Sequence, residues 1–145
     1  MPKRPYPVGE FIRNIFSVIA GVLVFFGLLF AAMPLFNDVY ERMYQSDSVN
    51  SAQMVSGIYL ALFFAIVLAC GLLTGLIATR RKVLHAFITG CVLVVLYILA
   101  VGKDIKWDTI KNSTEALLVN IAVPAIFLVA TLVGGWLSLV FRRRK

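Results

Sequence analysis

The single histidine of this chain, His85, follows three consecutive cations, Arg80, Arg81 and Lys82. An imidazole titrates near neutral pH and can carry a proton or sense acidity. A cation triplet can hold phosphate, above all the headgroups of anionic lipids. A second polar feature, Asn120 with Pro124, interrupts the last apolar run. Proline deletes one backbone hydrogen bond there and frees the Asn120 carbonyl, beside which an amide could line a pocket. Each feature also has a plainer reading. His85 suits an anchor at the membrane interface, and Asn120 with Pro124 suits a mild bend facing the bundle interior.

Other chemistry is missing. Cys70 and Cys91 form no CxxC pair and read as small apolar filler. There is no HExxH, no cluster of His or Cys and no glycine-rich phosphate loop. No acid lies between Glu10 and Asp38, where small four-helix multidrug transporters carry one. The sequence therefore predicts no catalytic, cofactor-binding or metal-ligating residue, no cofactor and no enzyme. A proton relay, which needs an ionisable group at mid-depth, is disfavoured for the same reason.

The elements that must position these residues are set by solvent. The 145 residues are 61% hydrophobic, with mean hydropathy +0.91. A soluble chain is nearer ~45–50% apolar. Four segments exceed the ~20 residues needed to cross a bilayer, or come within one of it. They are 15–36, 54–79, 83–101 and 116–141, and none contains Asp, Glu, Lys or Arg. Only a helix satisfies its own backbone in lipid over such a length without closing a barrel. The fold class expected is an all-α membrane protein, a single domain of four transmembrane helices in an up-down bundle. The first apolar run is longer than the ~7–15 residues of a signal peptide and is expected to remain as a span.

The net charge of +7 could suggest nucleic acid, but its placement does not. The N-terminal tail, the 80–82 loop and the C-terminus hold ten basic residues and only Glu10 as an acid. The other two loops hold four basic and six acidic residues. The positive side is cytoplasmic, so both termini are expected inside, in a multi-pass protein of the bacterial inner membrane. The partners expected are the lipid bilayer and other membrane proteins or a second copy, not nucleic acid. Within the outer loop 37–53, Phe36, Val39, Tyr40, Met43 and Tyr44 recur at helical spacing. That predicts a short amphipathic helix at the interface, with tyrosines at headgroup depth. Trp107, in the outer loop 102–115, suits the same depth.

Small residues mark where membrane helices meet, because they let backbones approach. The second span offers two rows, Gly57, Ala61, Ala65 and Ala69, and then Gly71 and Gly75. The fourth offers Ala130, Gly134 and Ser138, the third Ala86 and Gly90, and the first Ser17 and Gly21. The second span is therefore expected at the centre. A faint echo links "GLLTGLIATRRK" and "LVGGWLSLVFRRRK", as a duplicated hairpin would.

Gly71, Gly75, Arg80-Arg81-Lys82, His85-Ala86, Gly90, Pro124 and Gly134-Gly135 together resemble a group of small, uncharacterised four-helix bacterial inner-membrane proteins. The resemblance covers roughly 71–138 and implies fold and topology only. The first outer loop departs, having "NDVYERMYQSDS" where the group carries Pro-Pro. The role expected is that of a non-enzymatic accessory or interaction subunit. The alternative is a small oligomeric transporter or channel for a neutral or small solute, lined by Ser56, Thr74, Thr89, Thr131 and Asn120.

Overall fold

The computed structural model describes residues 8–44, 49–101 and 114–143. Among them are four helices and no strand: α1 Val8–Tyr44, α2 Val49–Ile77, α3 Lys82–Val101 and α4 Thr114–Arg143. Each contains a stretch long and apolar enough to span a membrane. Residues 45–48 and 102–113, with Asp47 and Trp107 among them, lie outside the described residues, as do the side chains of Tyr40, Tyr44, Ser56 and Asn120.

The C-terminal end of α1 differs from the interfacial helix expected within 37–53. Among the described residues no separate helix forms there. α1 runs unbroken through Pro34 to Tyr44. Pro34 removes only one backbone donor, and beyond Phe36 no glycine or proline interrupts the helix. The ion pair of Arg42 with Asp38, 3.1 Å and one turn apart, supports this extension. The helix of 37 residues rises about 55 Å, so both its ends pass beyond the ~30 Å hydrocarbon layer. α2 likewise starts five residues before the apolar run of the second span, at Val49.

Close approaches give the helix directions. Arg13 meets Ile77 and Phe36 meets Tyr59, so α1 and α2 are antiparallel. Gly71 lies against Thr131 and Gly75 against Ser138, so α2 and α4 are parallel. Gly90 meets Phe127 and Gly135 meets Val83, so α3 and α4 are antiparallel. Chain direction thus alternates, yet the most extensive packing joins the parallel pair α2 and α4. α2 and α3 each touch all three other helices, while the backbones of α1 and α4 stay apart. The central place expected for the second span is therefore shared with α3.

The α2–α4 seam explains its glycines. A Cβ at Gly71 would stand 2.5 Å from the Thr131 Cα, and one at Gly134 would stand 2.5 Å from the Leu72 nitrogen. Neither backbone could yield without separating the helices. Ala130 and Ser138 are fully buried on the same seam. The echo noticed in the sequence lies here: Gly71 beside Gly134, and Gly75 beside Ser138, at equal offset along the chain.

The row Gly57, Ala61, Ala65 and Ala69 is placed differently. Gly57, Ala61 and Ala65 are exposed, and Ala69 is half-buried. A Cβ at Gly57 would meet nothing within 4 Å. Ala69 and Gly71 stand two residues, roughly 200°, apart around the axis. When the Gly71 and Gly75 face meets α4, the centre of the other row turns outward.

The half of the bundle away from the α2–α3 turn, the outer half on the expected topology, is filled by aromatic rings. Phe127 of α4 packs edge-to-face on Phe25 at 5.5 Å and on Phe63 at 5.3 Å. Above these rings opens an apolar cavity of about 740 Å³, bordered by Leu29, Phe36, Tyr59, Leu96, Tyr97 and Val123 among others.

Candidate functional site at the basic end of the bundle

Five hydroxyls within the apolar spans turn back onto their own helices. The Thr74 hydroxyl donates to the Cys70 carbonyl at 2.9 Å, Thr89 to His85 at 3.0 Å and Thr131 to Phe127 at 2.6 Å. Ser17 and Ser138 bond the carbonyls three residues before them, at 2.6 Å each. The Thr74 and Thr89 hydroxyls also meet at 3.2 Å across the α2–α3 contact. All five are fully buried. Satisfied in this way they pack as small side chains. Pro124 is half-buried in α4 and does not border the outer cavity.

The groups with unspent polarity gather at the other end, where α1 begins and α2 turns into α3. α2 ends at Ile77, and the Ala78 amide still donates to the Thr74 carbonyl at 3.0 Å. The last carbonyls of a helix need outside donors. Arg13 of α1 supplies one, its Nε donating to the Ile77 carbonyl at 3.0 Å. Asn14, 7% exposed, fastens the next turn. Its Oδ1 accepts from the Thr79 amide at 3.2 Å and the Thr79 hydroxyl at 3.1 Å. Arg80 pairs with Glu10 at 3.3 Å. α1 is thus pinned to the α2–α3 turn through residues about 65 positions away.

Arg81 completes the turn with φ of 49°, in the left-handed region. For a residue with a Cβ that conformation costs about 1–2 kcal/mol, which glycine would avoid. Its carbonyl then accepts the His85 amide at 3.2 Å and opens α3.

The three cations predicted as headgroup contacts separate. Arg80 and Arg81 are exposed, and Arg80 shares its charge with Glu10. Lys82 is only 7% exposed, which removes it from the headgroup surface. It is the first residue of α3, and its backbone is packed beneath Gly135 of α4.

His85 is half-buried one turn into α3. It borders a groove of about 510 Å³ between α1 and α3, together with Phe11, Asn14, Ile15, Ile19, Arg81 and Leu84. Both ring nitrogens are buried, and neither finds a hydrogen-bond partner among the described residues. No group of three or more His, Cys, Asp or Glu that could hold a metal occurs among the described residues.

Sequence reasoning singled out His85 and the cations but missed Glu10, Arg13, Asn14 and Thr79. A signal existed in the spacing of Asn14, Ser17 and Gly21 at i, i+3 and i+7, a row of small and polar residues on one helix face. All three are buried against α2 and α3 or their turn.

No family model, no curated protein and no solved structure matches the chain.

Proposed function

We propose that this multi-pass membrane protein is a non-enzymatic accessory subunit of the bacterial inner membrane, with both termini cytoplasmic, that packs against another membrane protein. The observation that carries the reading is the outward row Gly57, Ala61 and Ala65 on α2. Small residues on a lipid-facing surface give up contact with acyl chains, and they suit the close approach of a second helix. Among the described residues nothing covers that row, while Gly71 and Gly75 of α2 are used against α4.

The transporter alternative loses support from the same geometry. A pore lined as expected would put Thr74, Thr89 and Thr131 on an open surface, together with Ser56 and Asn120, whose side chains lie outside the described residues. The three threonines are fully buried, with hydroxyls closed on their own carbonyls.

A photo-crosslinking side chain at Ala61 in native membranes tests the reading. The expected result is one discrete adduct with another protein, absent when the crosslinker stands at exposed Leu99 on α3 and lost on Ala65→Leu. Adducts with lipid alone, or with a second copy of the chain, would sink it.

A further inference from the structure

We propose that the groove between α1 and α3 at the basic end holds one anionic phospholipid. Its acyl chain lies along Ile15, Ile19, Leu84 and Ile88, and its phosphate lies between Arg81 and His85. This site is on different helices from the outward row of α2, so either reading can fail alone.

The shape comes first. The groove, at about 510 Å³, falls in the ~300–1,000 Å³ range of sites that take one small molecule. Its walls are split by chemistry. Towards the bilayer centre they are aliphatic, with Ile15, Ile19 and Ile88 between 38% and 48% exposed. At the mouth stand Arg81 and His85. That is the polarity profile of a lipid at the level of the interface, charged at one end and apolar below it.

The imidazole gives the second indication. Its two nitrogens are out of contact with solvent and lack a partner among the described residues. Buried polar atoms in folded proteins are ordinarily satisfied. The neighbouring amide does not serve, because Asn14 Oδ1 is already committed to Thr79. In either protonation state a histidine has an N–H to donate, and a turn of the imidazole toward the groove would present it to a phosphate oxygen there.

The third is Arg81. The turn holds a side chain in a left-handed conformation that glycine adopts without strain. Backbone strain of this kind gathers where a side chain has work beyond the fold. A guanidinium presents a fork of donors matched to phosphate. Charge complementarity completes the case. Arg81 borders the groove, Arg13 and Arg80 stand on the adjoining turns, and the one described acid at this end, Glu10, is paired with Arg80. A basic recess between helices at the membrane surface selects anionic headgroups.

The test is lipid binding to the purified full chain in an uncharged detergent, read by native mass spectrometry. Phosphatidylglycerol and phosphatidylcholine of equal chain length are titrated separately. One phosphatidylglycerol is expected per chain, about fivefold or more tighter than phosphatidylcholine, the ordinary worth of one basic residue at an anionic surface. Arg81→Gly should abolish that preference while the unfolding midpoint stays the same or rises, since glycine relieves the turn. Ile88→Trp should weaken both lipids by filling the groove. Arg42→Gln, the same loss of charge at the opposite end, should change neither. Equal affinity for the two lipids would overturn the proposal, as would an Arg81→Gly chain that keeps its preference. Displacement of the lipid by millimolar inorganic phosphate would mark a free-anion site and also overturn it.

Discussion

The two halves of the bundle are packed on opposite plans. In the inner half, small residues let backbones touch: Gly71 and Gly134 on the α2–α4 seam, Gly90 against α4, and Gly21 against Thr74 and Thr89. In the outer half, Phe25, Phe63, Phe127 and Tyr97 hold the helices apart by ring contacts at 5.3 to 6.2 Å, and a cavity of about 740 Å³ remains. The inner half is also the pinned one, where Arg13 and Asn14 fasten α1 to the α2–α3 turn. In lipid, tails are as apolar as any side chain, so association rests on fit and on hydrogen bonds rather than on escape from solvent. Close backbones supply fit along the seam. Rings supply contact area at the price of gaps. The inner half should therefore carry most of the stability, and the outer half should tolerate change.

The harshest way to break this contrast is to add volume to the seam. Gly134→Leu should cost about 3 kcal/mol or more, the top of the overpacking range, because the atoms it meets are backbone. Gly57→Leu, equally large but on the open row, should stay within about 0.5 kcal/mol. Unfolding in detergent with increasing SDS reads both. Equal losses would mean that the two rows are not distinguished by packing.

Removing volume from the outer half should matter less. Phe127→Ala is expected to cost about 2 kcal/mol, below the ~3–5 kcal/mol of an aqueous core, because the freed side chain returns to lipid rather than to water. If the same assay gave a loss larger than that of Gly134→Leu, the aromatic half would be the keystone and the contrast would be inverted.

The smallest effect sharpens the account of the buried hydroxyls. Thr74→Val keeps shape and removes the contact with Thr89 and the bond to the Cys70 carbonyl. Bonds of this kind between membrane helices average about 0.6 kcal/mol, and no more than that should be lost. A loss above about 2 kcal/mol would show that the hydroxyls hold the bundle together rather than fill it.

Much of the fold was legible because the constraint is blunt. Four uncharged runs of bilayer length admit little besides helices, and each of the four helices holds one of them, short only of Ala78 and Thr79 at the end of the second. Boundaries were less legible where lipid no longer decides. α1 continues past Phe36 because local helix preferences, and not hydropathy, govern the residues beyond the hydrocarbon layer. Of the candidate site, His85 and Arg81 stand out in sequence by type and place. The role of Asn14 does not, because a single amide beside an apolar run looks the same whether it caps a distant turn or meets water.

The sequence by itself determined the solvent, the number of spans and the clustering of charge at one end. Those follow from composition along the chain, which transfer into lipid reads directly. Tertiary structure alone decided which of two small-residue rows on α2 is buried, that the parallel α2 and α4 pack closest, and that Asn14 meets Thr79. Inside a bilayer an apolar face gains nothing by being turned inward, so periodicity cannot report which side packs. The choice is made by steric fit between helices that are distant in sequence.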